Sequence, residues 1–321
     1  MAEQVNDFLR RYGTLAALGL LILLNLLITP NFATLQTLNV NLTQVATIVI
    51  VAVGMTLVIA TGGIDLSVGS LMAIAGALAP MVFMGKIVAI GNIYVAVALA
   101  MLVAVVATTI LGAFNGFLIA RYRIQPIVAT LVLFIAGRGV AQVITNGNLQ
   151  VFKVPEFQFI GLGRVLGIPV QVILMLVFVA LAVWILRRSL FGRQLLAVGG
   201  NEKAARLSGI STRRIKIAVY AISGFLAGVA GLVVIAINSA SDANLVGLGM
   251  ELDAIAAVAV GGNLLSGGRA TVFGTLIGAL TIQLVRYTLL ANGVPDAAAL
   301  VVKAAIIILA VWLQQRGRAA Q

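Results

Sequence analysis

The sequence predicts an all-α polytopic membrane protein, and three observations carry that prediction. Hydrophobic residues fill 62% of its 321 positions and charged residues only 9%, whereas a soluble domain carries about 25% charged residues. Apolar runs of the ~20 residues that a helix needs to cross a bilayer recur from end to end. These runs are continuous rather than alternating, which favours helices over a lipid-facing barrel. An ordinary soluble enzyme is excluded. The chain has no Cys and no His, which removes disulfides, thiolate or imidazole metal sites and histidine bases.

Spans are expected at about 13–29, 43–61, 68–84, 93–120, 126–145, 170–186, 216–237, 251–266, 271–290 and 298–314. This makes ten crossings, with eight or nine plus re-entrant segments as the alternative. The first follows a polar start, MAEQVNDFLRRYG, and leads into TPNF rather than a small-residue cleavage site, so no cleavable signal is expected. The second and third flank TGGIDLSVGS, where two glycines and Asp65 interrupt the apolar run. The fourth is long enough to be tilted or to be two pieces. Pro126 and Pro169 mark helix starts. The eighth is short and Gly-rich, which suits a re-entrant half-helix. Glycines such as those of AISGFLAGVAG read as close-packing sites. Trp184 and Trp312 read as interfacial anchors, and Arg286 and Lys303 as snorkelling or interfacial residues. The loop 146–168 reads as an interfacial hairpin.

The charge pattern sets the orientation. With the N-terminus inside, 15 of the 21 basic residues fall in cytoplasmic segments and only Lys86, Lys153 and Arg164 lie outside. Short cytoplasmic loops are enriched in Lys and Arg, so both termini are expected in the cytoplasm. The net charge of +12 therefore reports membrane orientation and does not imply nucleic acid. The chain reads as one transmembrane domain, 1–321, whose sizeable cytoplasmic loop is 187–215.

That loop contains Gly199-Gly200-Asn201 as an expected turn, Asn201 as a helix N-cap and Glu202 in the first turn. Glu202, Ala205 and Gly209 are expected on one face. A short, small-sided helix on the membrane surface suits a groove on a partner; a solvated basic loop with one helical turn is the plain alternative. The stretch NEKAARLSGI resembles the Glu-Ala-Ala…Gly loop of bacterial ABC importer permeases. GMTLVIATGGIDLSVGS, NGFLIARYRIQPIVATL, AVGGNEKAARLSGI and ELDAIAAVAVGGNLLSGG together resemble the sugar branch of the ribose and branched-chain amino-acid permease family. ATGGIDLSVG, AGRGVAQ and SDANLVGLGMELDAI are most similar to its galactofuranose-type members.

The resemblance implies that Glu202, Lys203, Ala204, Ala205, Ser208 and Gly209 form a coupling helix against an ABC ATPase subunit. It also implies a second permease subunit in a homo- or heterodimer, a periplasmic sugar-binding protein and a monosaccharide substrate. The location implied is the bacterial inner membrane. No GxxxxGK[ST] phosphate loop is present, so no cofactor is expected in this chain, and ATP and Mg belong on the partner ATPase.

Polar residues in or beside spans are candidates for the pathway or a gate: Asp65, Ser67, Asn115, Arg138, Gln142, Glu251 and Asp253. Asp65 reads first as an N-cap of a new helix near the cytoplasmic interface, with a hinge or pathway role as the alternative. Arg138, between Gly137 and Gly139, reads first as half of an ion pair with Asp65, Glu251 or Asp253; contact with sugar hydroxyls is the alternative. Glu251 and Asp253 suit the N-terminal end of their helix. Other cargoes fit the same architecture: branched-chain amino acids, nucleosides or a signalling furanose. An ion-coupled secondary transporter would need an intramembrane carboxylate or histidine relay, and the acidic residues instead gather near expected helix ends. No nucleophile–base pair or metal constellation supports an intramembrane enzyme.

Overall fold

Why each apolar run becomes a helix follows from the bilayer, which leaves backbone N–H and C=O groups no partner except the next helical turn. The computed structural model describes residues 2–295, 297–302, 304–306 and 308, with side chains from residue 13 onward. Its elements run α1 (Ala2–Ile28), α2 (Leu35–Ala60), α3 (Val68–Phe83), α4 (Ile93–Tyr122), α5 (Pro126–Thr145), β1 (Gln150–Val151), α6 (Pro155–Leu162), β2 (Arg164–Val165) and β3 (Ile168–Pro169). Then come α7 (Val170–Arg188), α8 (Leu190–Gly200), α9 (Glu202–Leu207), α10 (Thr212–Asn238), β4 (Ala240–Ser241), α11 (Met250–Val260) and α12 (Val272–Ala291). Six of these helices, α2, α4, α5, α7, α10 and α12, are long and apolar enough to cross a membrane. Shorter apolar helices lie at Gly13–Ile28, Val68–Phe83 and Ala297–Ile306. The protein is thus an all-α, multi-pass membrane protein.

The expected fourth span is a single helix of 30 residues. The expected eighth is cut short: α11 stops at Val260 rather than 266 and has 11 residues. At 1.5 Å per residue it is about 16 Å long, half of a ~30 Å hydrocarbon core. Gly261 and Gly262 account for the early stop, since they form a turn rather than helix. The rest of the expected tenth span, with Lys303 and Trp312, lies outside the described residues, as do Arg316, Arg318 and the side chains of Arg10 and Arg11.

α2 is the central post. Every residue from Val45 to Ala60 is buried, enclosed by α7, α10, α11 and α12. α10 lies along α4, where small residues let the backbones touch: a Cβ on Gly112 would lie 2.4 Å from the Tyr220 carbonyl oxygen. The close-packing role expected of AISGFLAGVAG is therefore real for Gly224, which meets Gly112 there. α4, α5 and α7 turn apolar side chains such as Leu102, Ile110, Val132, Ile135 and Leu176 outward. α1 joins α12 through polar contacts: Asn25 Nδ2 donates to Thr288 Oγ1 at 2.7 Å and Asn292 Nδ2 to Thr29 Oγ1 at 3.1 Å.

The loop 146–168 is only partly the expected hairpin. β2 and β3 do pair, Arg164 opposite Pro169. The preceding half folds inward: β1 pairs antiparallel with β4, Gln150 opposite Ser241, and α6 packs on α10. Phe83, Phe152 and Phe157 form an aromatic cluster with centroids 4.9–5.6 Å apart. Burying those rings outweighs leaving the loop at the interface, and the strand partner lies some ninety positions away, beyond any local reading.

Candidate functional site

The break after α2 is built by a glycine. Gly62 takes φ +78°, and the N–H groups of Gly62 and Gly63 donate to the carbonyls of Ile59 and Val58 at 2.8 and 3.2 Å. This pattern of positive φ and reaching-back bonds ends a helix cleanly. The chain then crosses 61–67 in non-helical form, and Asp65 lands inside the protein with 0% exposure.

Its carboxylate is held by three donors. Oδ1 accepts from Ser67 N–H at 3.0 Å and Ser67 Oγ at 2.6 Å, and Oδ2 accepts from Ser223 Oγ at 2.7 Å. Asn115 Nδ2 donates to Ser67 Oγ at 3.0 Å, and Tyr220 Oη donates to the Ile64 carbonyl at 3.2 Å. Among the described residues, hydroxyl and N–H donors rather than a Lys or Arg satisfy Asp65. A buried carboxylate costs far less when hydrogen-bonded in this way. Three expected site residues, Asp65, Ser67 and Asn115, thus form one cluster, and α10 adds Ser223 and Tyr220. Gly63 is needed there, because a Cβ would lie 2.5 Å from the Tyr220 hydroxyl.

One expectation for Asp65 is corrected. The N-cap position of α3 belongs to Ser67, whose side chain makes no capping bond; Asp65 acts two residues earlier through an Asx-type turn. It does lie between two helix ends, Ala60 of α2 and Val68 of α3, but its partners sit well inside α4 and α10. Asn115 is seven residues from Tyr122, about 10 Å, and Ser223 eleven residues from Thr212, about 16 Å.

Arg138 and Gln142 form a second cluster. Arg138 lies in the field of Glu251, one of its expected partners, and of Asp242, but its direct bonds go to the backbone: Nη1 donates to the carbonyls of Ala243, Asn244 and Val246 at 2.9, 3.3 and 2.8 Å. Gln142 Nε2 donates to Asn244 Oδ1 at 2.7 Å. The correction has a physical cause. The turn at 242–249 leaves carbonyls without helical partners, and a guanidinium supplies several donors in one plane. Arg138 Nη2 is buried with no hydrogen-bond partner. Glu251 and Asp253 do sit in the first turn of α11. Glu251 is buried close to α3, where a Cβ on Gly69 would lie 2.5 Å from its Oε2. Asp253 faces a crevice shared with Ile48, Gln283, Arg286 and Leu300. Between the two clusters α3 is joined to α5, where Ser70 Oγ donates to the Leu133 carbonyl at 3.0 Å.

The segment 187–215 holds the remaining candidates. Asn201 caps α9 as expected, accepting from Ala204 N–H at 3.0 Å. Glu202 pairs with Lys216 at 2.6 Å. Glu202, Lys203, Ala204, Ser208 and Gly209 are exposed, while Ala205 is buried. Two details differ from expectation. Gly199 and Gly200 are the last residues of α8, not a turn, and α9 ends at Leu207. Gly209, at φ +81°, therefore lies beyond the helix, and no face joins it to Glu202 and Ala205. The reason Gly199 must lack a side chain is a contact that sequence reasoning missed: a Cβ there would lie 1.8 Å from the Ala60 carbonyl oxygen. That same oxygen accepts from Gly268 N–H at 3.0 Å. The end of α8 thus abuts the end of α2, beside the break that leads to Asp65. Ser223 was hidden in a small-residue stripe, and its one signal was being the polar member of AISGFLAG.

No group of three His, Cys, Asp or Glu side chains that could hold a metal occurs among the described residues. What the site defines is a multi-pass helical protein with a broken, polar-lined helix near its centre. The chain belongs to the family described as branched-chain amino acid transport system / permease component, which it matches over residues 37–311. It is 41% identical to the ribose import permease protein of Escherichia coli strain K12, over 96% of this chain and 95% of that one. It is 40% identical to the galactofuranose transporter permease protein of the same strain, covering 94% and 89%. The fructose import permease protein of Bifidobacterium longum is 36% identical, covering 85% and 76%. No solved structure matches.

Proposed function

We propose that this chain is the permease subunit of an ATP-driven importer that moves a monosaccharide from the periplasm to the cytoplasm of a bacterium. It lies in the inner membrane with both termini cytoplasmic and about ten crossings. It performs no chemistry itself. A separate ATPase chain binds ATP and Mg, a second permease subunit completes the pathway, and a periplasmic binding protein delivers the sugar. Support comes from family membership and from relatives whose names specify ribose, galactofuranose and fructose import. Identities of 41% and 40% to the ribose and galactofuranose permeases do not choose between those sugars. The galactofuranose preference therefore rests on three short stretches alone.

The observation that carries the mechanism is the contact between the end of α8 and the Ala60 carbonyl. α9 follows α8 after one residue, Asn201, so a partner that displaces α9 from the cytoplasm would push on the end of α2. The Asp65 cluster joins that end to α3, α4 and α10. Small shifts there are converted into discrete rearrangements, since packed helices are bistable rather than elastic. Arg138, Gln142 and the buried edge of Glu251 would then face the sugar on its way through, with Arg138 Nη2 as a ready donor to a hydroxyl.

Proteoliposomes holding the permease pair, the ATPase and the binding protein test the reading. Uptake of labelled ribose or galactofuranose should require ATP on the cytoplasmic side and saturate with binding protein. Uptake by the chain alone, driven by an ion gradient, would replace this reading with a secondary carrier.

A further inference from the structure

The ladder between β1 and β4 buries polar atoms that the fold leaves unsatisfied. Residues directly opposite in an antiparallel pair turn their side chains to the same face, and Gln150 lies opposite Ser241. That face is the inner one: Gln150 is 3% exposed and Ser241 0%, whereas Val151, next along β1, is 63% exposed. Both amide atoms of Gln150 and the hydroxyl oxygen of Ser241 are buried without a hydrogen-bond partner. Folded proteins ordinarily avoid the desolvation cost of such atoms. Ser241 Oγ aims at α3, where a Cβ on Gly76 would lie 3.0 Å from it.

We infer that the β1–β4 ladder is a gate on the sugar path, and that Gln150 and Ser241 bond the hydroxyls of the passing sugar when its strands part. The inference rests on the importer reading above, and adds a gate and two residues that touch the cargo. The chemistry suits a neutral polyol: an amide and a hydroxyl offer donors and acceptors together, and no charge. The ladder is weak. It has two residue pairs, and strands so short are marginal by themselves. It ties the segment after α5 to the segment after α10, so parting it frees those helix ends from each other. Arg138 and Gln142 of α5 hold the same stretch a little further on, at Ala243, Asn244 and Val246. The gate therefore adjoins the residues already read as facing the sugar. With Ser241 wholly buried, a sugar reaches it only after the strands separate.

A structural water bridging Gln150 to Ser241 is the competing occupant, since buried polar groups also hold waters. The neighbouring glutamine argues against a structural role. Gln158 ties itself to the Ser239 hydroxyl, as a group kept for stability does, whereas Gln150 bonds through neither amide atom.

The chain has no cysteine, and paired strand positions lie close enough for a disulfide, so the double variant Gln150→Cys, Ser241→Cys can lock the ladder. In proteoliposomes of the complete importer, oxidation should cut uptake of labelled ribose or galactofuranose at least tenfold relative to the same variant reduced, and a reductant should restore it. Undiminished uptake by the fully cross-linked variant would overturn the gate. Ser241→Ala and Gln150→Leu, made singly, remove buried polar atoms that lack partners. Their melting temperatures should equal or exceed that of the parent, while uptake per folded molecule falls at least fivefold. A lower melting temperature with uptake equal to the parent's would assign the pair to a structural water and overturn the sugar contact, leaving the importer reading standing. A parent importer that takes up neither sugar with ATP and binding protein present would overturn both.

Discussion

Two helix ends two hundred residues apart are built alike and filled differently. At the end of α2, Gly62 has φ +78° and donates to Ile59 at 2.8 Å, and Gly63 reaches back to Val58 at 3.2 Å. At the end of α11, Gly262 has φ +79° and donates to Ala259 at 2.9 Å, and Asn263 reaches back to Val258 at 3.2 Å. Both turns are followed by a leucine and a serine, in GGIDLS and GGNLLS. The first turn then buries Asp65, whose hydroxyl partners come from α10 as well as its own loop. The second buries Asn263, which bonds mainly within the span from Val258 to Thr275. A neutral amide staples its own turn, whereas a carboxylate ties three helices together. On the proposed function, the first turn would serve motion between helices and the second local stability.

Removing the carboxylate should have the largest effect. Asp65→Ala leaves Ser67 N–H, Ser67 Oγ and Ser223 Oγ without their acceptor, at about 1–3 kcal/mol for each buried group. Uptake per folded molecule should fall by at least tenfold, as measured in proteoliposomes, and the melting temperature should drop. The contrasting change, Asn263→Ala, should cost a similar roughly 1–3 kcal/mol of stability. Uptake per folded molecule should nevertheless stay within about twofold of the parent. Equal transport losses for the two variants would erase the distinction between the turns.

Much of this was legible in the sequence, and the limits follow from distance along the chain. Continuous apolar runs located the helices because a bilayer allows little else. Asn201 was readable as a cap, and Pro126 as a helix start, because both act within a few residues. The break at Gly62 was readable because glycine followed by a charge cannot continue a lipid-facing helix. Its hydrogen-bond partners were not, since Asn115 and Ser223 come from other helices. Arg138 was read as half of an ion pair because pattern alone cannot reveal that the turn at 242–249 offers carbonyls. Gly209 was placed on the α9 face by counting, but the helix had already stopped at Leu207.

The central claim is that displacement of α9 reaches the Asp65 break through the contact of Gly199 with Ala60. The most direct test is the number of sugar molecules moved per ATP hydrolysed by the complete importer carrying Gly199→Val. A Cβ at this position collides with the Ala60 carbonyl, so the α8–α2 joint must part. The account predicts ATP hydrolysis that persists while the transport ratio falls at least tenfold. A ratio equal to that of the parent would contradict it.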